Sequence, residues 1–322
     1  MAAVPPPSFA DVIAAHDRIG ARIVRTPVFS SAAVDEQLDR RVVFKCENLQ
    51  IGGAFKYRGA LNAILPLAAA GTTIVATHSS GNHGNAVALA ARACGLQAHV
   101  VIPHDSARPK IEAIQRAGAH VVFCEPGLAA REQALRELLS RVSAAVVHPF
   151  DDARVIAGQG TAALELLTDQ PQLQVICTPV GGGGLIGGTA LAAHAMAPGC
   201  RVIAAEPATA DDAYRSWRSG TRQGVTTPST IADGLRGSIG VLNFELLREL
   251  VHEVVTVDEP QIVAALRWTL QELKLLIEPS SAVAVAALLA GRLGKPGERV
   301  GIILSGGNVD LERCPFLRGA VH

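Results

Sequence analysis

The sequence predicts an α/β protein of two domains, with parallel-strand-rich sheets flanked by helices. Three observations carry this. From residue 72 onward, short apolar β-branched runs alternate with helix-length segments, the signature of βαβ units in a parallel sheet. The alternation falls into two series, each able to build a sheet of its own. The length of 322 residues, with 49% hydrophobic and 18% charged side chains, is enough for a large core in one or two soluble globular domains.

The elements follow in order. Ser8, with Asp11 three positions on, starts an N-terminal helix that runs to about Ile23. VVFKCE (42–47) is a strand candidate. TIVATH (73–78), AHVVI (98–102), AHVVFC (119–124) and AAVVHP (144–149) are four strands, separated by helices near 84–95, 107–117 and 128–142. They close a small α/β unit at 73–147, inserted in a large domain made of 1–72 and 148–322. The large domain continues with LQVICTPV (173–180), RVIAAE (201–206), EVVTV (253–257) and RVGIIL (299–304). No repeat exceeds the βα alternation. The chain ends shortly after LSGGN, so no regulatory extension is expected.

Composition excludes several functions. Basic and acidic residues balance at 29 each, and no basic stripe offers a footprint for nucleic acid. The longest apolar runs, such as SAVAVAALLA, are too short or too punctuated to span a bilayer, and the N-terminus lacks a signal-peptide pattern. Cys46, Cys94, Cys124, Cys177, Cys200 and Cys314 form no C-x-x-C pair, and most lie in apolar runs. A cytoplasmic, disulfide-free protein is expected.

Open α/β sheets bind ligands at the C-terminal ends of their strands. Three glycine-rich turns occupy such places: SSGNHGN (79–85), GGGGLIGG (181–188) and SGGN (305–308). One shared cleft is expected. GGGGLIGG opens a helix, where outward backbone N–H groups and the helix dipole favour an anion such as phosphate. Gly182, Gly184 and Gly187 also satisfy G-x-G-x-x-G, with Glu206 about 20 positions on. On that segment alone an NAD-dependent dehydrogenase is a fair reading, but it leaves Lys56 and SSGNHGN without a task. Lys56 lies in IGGAFKYRG (51–59), behind two glycines and between Phe55 and Tyr57. An imine-forming lysine needs a neutral amine in a shielded place, which these neighbours supply. The charge of Arg58 is expected to lower its pKa if it approaches. An imine-forming lysine plus a phosphate loop describes a pyridoxal 5'-phosphate site.

Six motifs together, IGGAFKYRGA (51–60), SSGNHGNA (79–86), GGGGL (181–185), ADGL (232–235), EPSSA (278–282) and SGGN (305–308), span nearly the whole chain. In this order they resemble the fold-type II (tryptophan synthase β-like) pyridoxal-phosphate enzymes, most closely serine/threonine dehydratases and serine racemases. The resemblance implies a cofactor in the interdomain cleft and a homodimer. It makes Lys56 the Schiff-base lysine and catalytic base, and lays Phe55 against the cofactor ring. Asn82 would bond the 3'-oxygen, while Gly181, Gly182, Gly183, Gly184 and Leu185 would hold the phosphate. Gly234 and Glu278 would also lie at the cofactor. Ser305 would face the pyridine nitrogen, and a neutral hydroxyl is a poor proton donor to it. The ring is then a weaker electron sink, which favours rapid loss of a β-substituent over transamination.

The resemblance further implies that Ser79, Ser80, Asn82 and His83 receive the substrate carboxylate and that Arg131 reaches the substrate. His83 reads equally as a hydrogen-bonded structural histidine, and Arg131 as a solvated helical arginine. Ser80 stands where racemases keep a second acid/base, so racemase activity is open beside dehydration. EPATADDAYRS (206–216) offers two carboxylates and a carbonyl suited to Mg²⁺ or Ca²⁺. The racemase branch has such a site, matching Glu206, the carbonyl of Ala210 and Asp212. The alternative is an acidic first helical turn that complements the dipole. The expected activity is α,β-elimination of water from serine, threonine or another β-hydroxy amino acid, giving a 2-oxo acid and ammonia. Ala54, where the family more often has serine, hints at a hydroxyaspartate-type substrate; phenylserine is another.

Overall fold

The computed structural model describes residues 5–79, 81–225, 228–314 and 316. In chain order the helices and strands are α1 (Phe9–Ile19), β1 (Val28–Ser30), α2 (Ala32–Leu38), β2 (Arg41–Cys46) and α3 (Lys56–Ala69). Next come β3 (Ile74–His78), α4 (Asn82–Ala93), β4 (Gln97–Pro103), α5 (Arg108–Arg116), β5 (His120–Cys124), α6 (Leu128–Leu139) and β6 (Ala145–Val146). The chain continues through α7 (Ala153–Asp169), β7 (Val175–Pro179), α8 (Gly184–Met196), β8 (Arg201–Pro207) and α9 (Asp212–Ser219). It closes with α10 (Val241–Leu250), β9 (Glu253–Val257), α11 (Glu259–Trp268), α12 (Pro279–Leu289) and β10 (Arg299–Leu304).

Two sheets form. The larger runs β1-β2-β10-β7-β8-β9 and is parallel except for β1, which pairs antiparallel with β2. The smaller runs β5-β4-β3-β6 and is wholly parallel. Period-two alternation sends successive residues of a strand to opposite faces. Val175 and Cys177 of β7 join Val283 and Val285 of α12, while Ile176 joins Leu166 of α7 and Ile186 of α8. Helices on both faces explain why these parallel strands are continuous apolar runs. In the small sheet Val75 packs under α3 and α4, and its neighbour Ala76 under α6.

The sequence reading matches the strand pattern with three differences. The first helix ends at Ile19 and passes into a 3₁₀ turn at Gly20–Arg22; its start is capped as expected, the Ser8 N–H and hydroxyl both donating to Asp11. AAVVHP contributes only Ala145 and Val146 to the sheet, because the chain leaves β3 at His148 and Pro149 to enter the site. The short, half-exposed β1 carries too little pattern to be foreseen.

Helix α7 lies across α3 closely because both surfaces are glycine there. A Cβ at Gly158 would stand 2.6 Å from the Cα of Gly59. The N-terminal end of α3, which begins at Lys56, is thereby fixed between the two sheets.

Candidate active site

The glycine-rich turns converge on one cavity of about 130 Å³. Its wall includes Phe55 and Lys56 at the start of α3, Ser79, Gly81, Asn82 and His83 after β3, and Gly181–Leu185 after β7. Gly234, Glu278 and Ser305 complete the opposite side, and Arg131 reaches in from α6. Every described residue expected at the cofactor or substrate therefore lines this one space. Ser80 lies outside the described residues.

Lys56 is half-buried, its Nζ donates to the carbonyl of Pro149 at 2.7 Å, and it stands 5.2 Å from the Phe55 ring centre. Burial pushes its ammonium pKa down to about 8, against a smaller opposing pull from Glu278. Arg58 is not the cause, because the condition set for it, a close approach of its charge, is not met. Two residues along a helix point to nearly opposite sides, and Arg58 is fully buried behind α3. There its Nε and Nη2 donate to Glu47, its Nη1 and Nη2 to Glu165, each bond at 2.8 Å. Lys45 completes the cluster on Glu165 at 2.5 Å.

The glycine turn is a cradle that only glycine can build. A Cβ at Gly182 would sit 2.2 Å from the Phe150 ring; Gly183 has φ +91° and lies against Asn243. Gly183 caps α8, so the free N–H groups of the helix start face the cavity end. The Gly182 carbonyl, which would repel an anion, is turned away to accept from Asn243 Nδ2 at 2.8 Å and Gly240 N–H at 3.1 Å.

Asn82 opens α4. Its Nδ2 donates to Glu278 at 2.7 Å and its Oδ1 accepts from Asn308 at 2.9 Å, so the carboxamide is fixed in one orientation. Burial raises the Glu278 carboxyl to about 7, with Lys110 the main group opposing the rise. Gly234 is held by its N–H donating to Ser280 at 2.9 Å. Ser305 follows β10, buried, with its carbonyl accepting from the Phe55 N–H. Ala54 forms an isolated bridge with Gly306 and does not line the cavity.

After β3 the Ser79 hydroxyl accepts from the Gly81 N–H at 3.1 Å. His83 Nε2 meets the Val147 carbonyl at 3.1 Å and must carry the proton, which leaves Nδ1 bare and unpartnered. Burial holds His83 neutral, well below the usual imidazole range. Arg131 has no carboxylate partner among the described residues, and burial lowers its pKa.

Sequence reasoning missed His78 and Phe150 in the wall, and His148, which touches both. His78, His148 and Phe150 stand in edge-to-face contact, the ring pairs 5.5 and 4.8 Å apart. His148 Nδ1 accepts from the Asp151 N–H at 2.8 Å. Burial drives His78 down to about 3, so it is a neutral group. The available signal was position: His78 and the 148–150 segment end parallel strands, where ligands bind.

Glu206 is wholly buried, its oxygens accepting from the Ala213 and Tyr214 N–H groups at 3.2 and 2.9 Å. It cannot meet a ribose, so the dinucleotide reading loses its acidic residue.

Comparison with known proteins agrees with this geometry. The family of pyridoxal-phosphate dependent enzymes matches residues 19–306. The chain belongs to that family. It is 44% identical to a serine racemase of Arabidopsis thaliana, over 92% of each protein. It is 42% identical to a β-hydroxyaspartate dehydratase of Paracoccus denitrificans, over 96% of this chain and 99% of that one. The structure of maize serine racemase superposes with a TM-score of 0.92 at 40% identity, covering 95% of both chains. The fold is thus that of the fold-type II enzymes. Among the described residues no helix is long and apolar enough to cross a membrane.

Proposed function

We propose that the protein is a pyridoxal-phosphate dependent hydroxy-amino-acid ammonia-lyase. The observation that carries this is Lys56, a half-buried lysine with a lowered pKa, lining one cavity with the glycine cradle. The residues fit the cofactor: a phosphate matches the free N–H groups at the start of α8, and Lys56 matches an aldehyde. Bound pyridoxal phosphate supplies a carbonyl that captures the substrate amine and a ring that acidifies the α-carbon.

The chain's own residues do the rest. With a pKa of about 8, roughly one tenth of Lys56 is neutral at pH 7. That amine anchors the cofactor and, once displaced by substrate, takes the α-proton. The β-hydroxyl leaves as water, and the released enamine takes water back to give a 2-oxo acid and ammonia. The fixed Asn82 carboxamide would orient the cofactor's 3'-oxygen, and Phe55 would lie on its ring. The neutral Ser305 hydroxyl would hydrogen-bond the ring nitrogen without protonating it, which favours elimination. Gly234 and Glu278 would border the ring, and Ser79, Asn82 and His83 would hold the substrate carboxylate.

A yellow protein on which borohydride fixes the cofactor covalently at Lys56 is the first expected outcome. The second is 2-oxo acid release from at least one of serine, threonine, 3-hydroxyaspartate and phenylserine. A colourless protein, or silence across that panel, overturns the reading.

A specific observation favours 3-hydroxyaspartate. Arg131 is a cavity-wall cation with no carboxylate of its own, and a dicarboxylic substrate supplies one. Arg131→Met should then raise KM for 3-hydroxyaspartate far more than for threonine; equal effects would remove this assignment. Racemisation rests on Ser80 as the second acid/base. Ser80→Ala should abolish D-serine formation while sparing elimination from L-substrates, and equal loss of both would refute that role.

A cation site at Glu206, the Ala210 carbonyl and Asp212 is supported by two fully buried carboxyls, one oxygen of which, Asp212 Oδ1, has no partner. Segregation of β3–β6 into their own sheet supports a small domain at 73–147. All six cysteines are free, which supports a reducing, cytoplasmic setting. A homodimer follows from the family likeness and is tested by sedimentation.

A further inference from the structure

Lys110 of α5 and Asp233, in the turn beside Gly234, form an ion pair between residues that flank different sheets. Both side chains line two spaces at once: the reaction cavity and an adjoining cavity of about 590 Å³. The stem of Lys110 lies flat on the substrate turn, where a Cβ at Gly81 would meet its Cδ at 2.9 Å. The pair therefore stands between the larger cavity and the place proposed for the substrate carboxylate.

We propose that this pair is a latch: joined, it separates the reaction cavity from the larger one; parted, it connects them for substrate entry and product exit. Two features make it a two-state element rather than a fixed strut. Lys110 lies in the field of a second carboxylate, Glu278, as well as Asp233, so the ammonium has an alternative partner on the cavity side. Asp233 is one-third exposed while Lys110 is only 12% exposed. Water and salt therefore reach the pair from the side of the acid, where its attraction is open to screening. Arg236, tied to the Thr230 carbonyl at 2.6 Å, lines the same two spaces and lies in the field of Lys110.

The latch serves the reaction cavity proposed above, yet its test reads access to the cofactor rather than turnover. Hydroxylamine captures bound pyridoxal phosphate from the holoenzyme, and the loss of absorbance gives the rate. Lys110→Met and the near-isosteric Asp233→Asn should each speed capture roughly fivefold. The reversed pair, Lys110→Asp with Asp233→Lys, should return it close to the parent rate. In the unmodified protein, rising sodium chloride should speed capture about twofold through screening, which tests the latch even if a variant misfolds. Capture that ignores salt, or that responds to Lys110→Met but not to Asp233→Asn, overturns the latch. Failure to release any 2-oxo acid would sink the proposed function and leave these rates standing.

Discussion

Lys56 and Arg58 are two residues apart on α3, and the fold treats their charges in opposite ways. Arg58 is fully buried and fully paired: its five N–H groups go to Glu47, Glu165 and Thr161, and Lys45 balances the second acid. Burial pulls its pKa down, but the two carboxylates outweigh this and hold it above the usual value. Lys56 faces the cavity with a single neutral carbonyl for a partner, and burial wins there. Pairing, more than depth, separates a structural charge from a reactive one. One helix turn carries both, because its two faces point at different chemistry.

Removing the reactive member should have the largest effect on rate. Lys56→Ala is expected to cost at least roughly 10³-fold in elimination while leaving the melting temperature almost unchanged. Substantial residual turnover, checked by 2-oxo acid release, would break the comparison on this side. Removing the structural member should act on stability instead. Arg58→Met leaves Glu47 and Glu165 buried with only Lys45 against them, at a cost of about 3–5 kcal/mol. That corresponds to a fall of about 4–7 °C in melting temperature. A variant as stable as the parent would show the quartet to be dispensable.

The pH response sharpens the contrast. The lowered Lys56 pKa of about 8 means that cofactor uptake by the cofactor-free protein should rise about tenfold per pH unit below that value. It should level off above it, whereas an ordinary lysine would keep rising to about pH 10. A stopped-flow pH series reads this directly.

How far this was legible in the sequence follows the same division. Lys56 and the glycine loop are legible from their local chemistry, and Asn82 and Ser305 through the resemblance of the six motifs; the structure brings all of them to one cavity. The Arg58 quartet is not legible: Glu165 lies 107 residues from Arg58, and no local period links them. The expectation that Arg58 tunes Lys56 fails for that reason, since neighbours in sequence on a helix need not share a face. The pairing of Lys110 with Asp233 depends likewise on how the two sheets meet, and the contact of His78 with His148 on how two strands of the small sheet end side by side. Strand β6 was expected at six residues and pairs over two, because the segment's last residues serve the cavity instead of the ladder.

The last test concerns a second buried pair with the opposite deficit. Glu206 and Asp212 are both wholly buried, and burial raises both carboxyls, each of which also has acid neighbours. Without a cation the folded protein holds protons here that the unfolded chain releases. The stability tied to these groups is therefore full below the unfolded carboxylate pKa of about 4. It is lost as the pH rises through the folded Asp212 value of about 6. A divalent cation at the proposed site, on Asp212 Oδ1 and Glu206, would replace those protons and restore the loss. EDTA should accordingly lower the melting temperature by about 5 °C at pH 8 and scarcely at pH 5, with magnesium reversing the fall. Asp212→Asn should remove the response. An EDTA effect that is absent at pH 8, or equal at both pH values, would show that these acids, unlike Lys56, lie buried and unpaired without a ligand to meet.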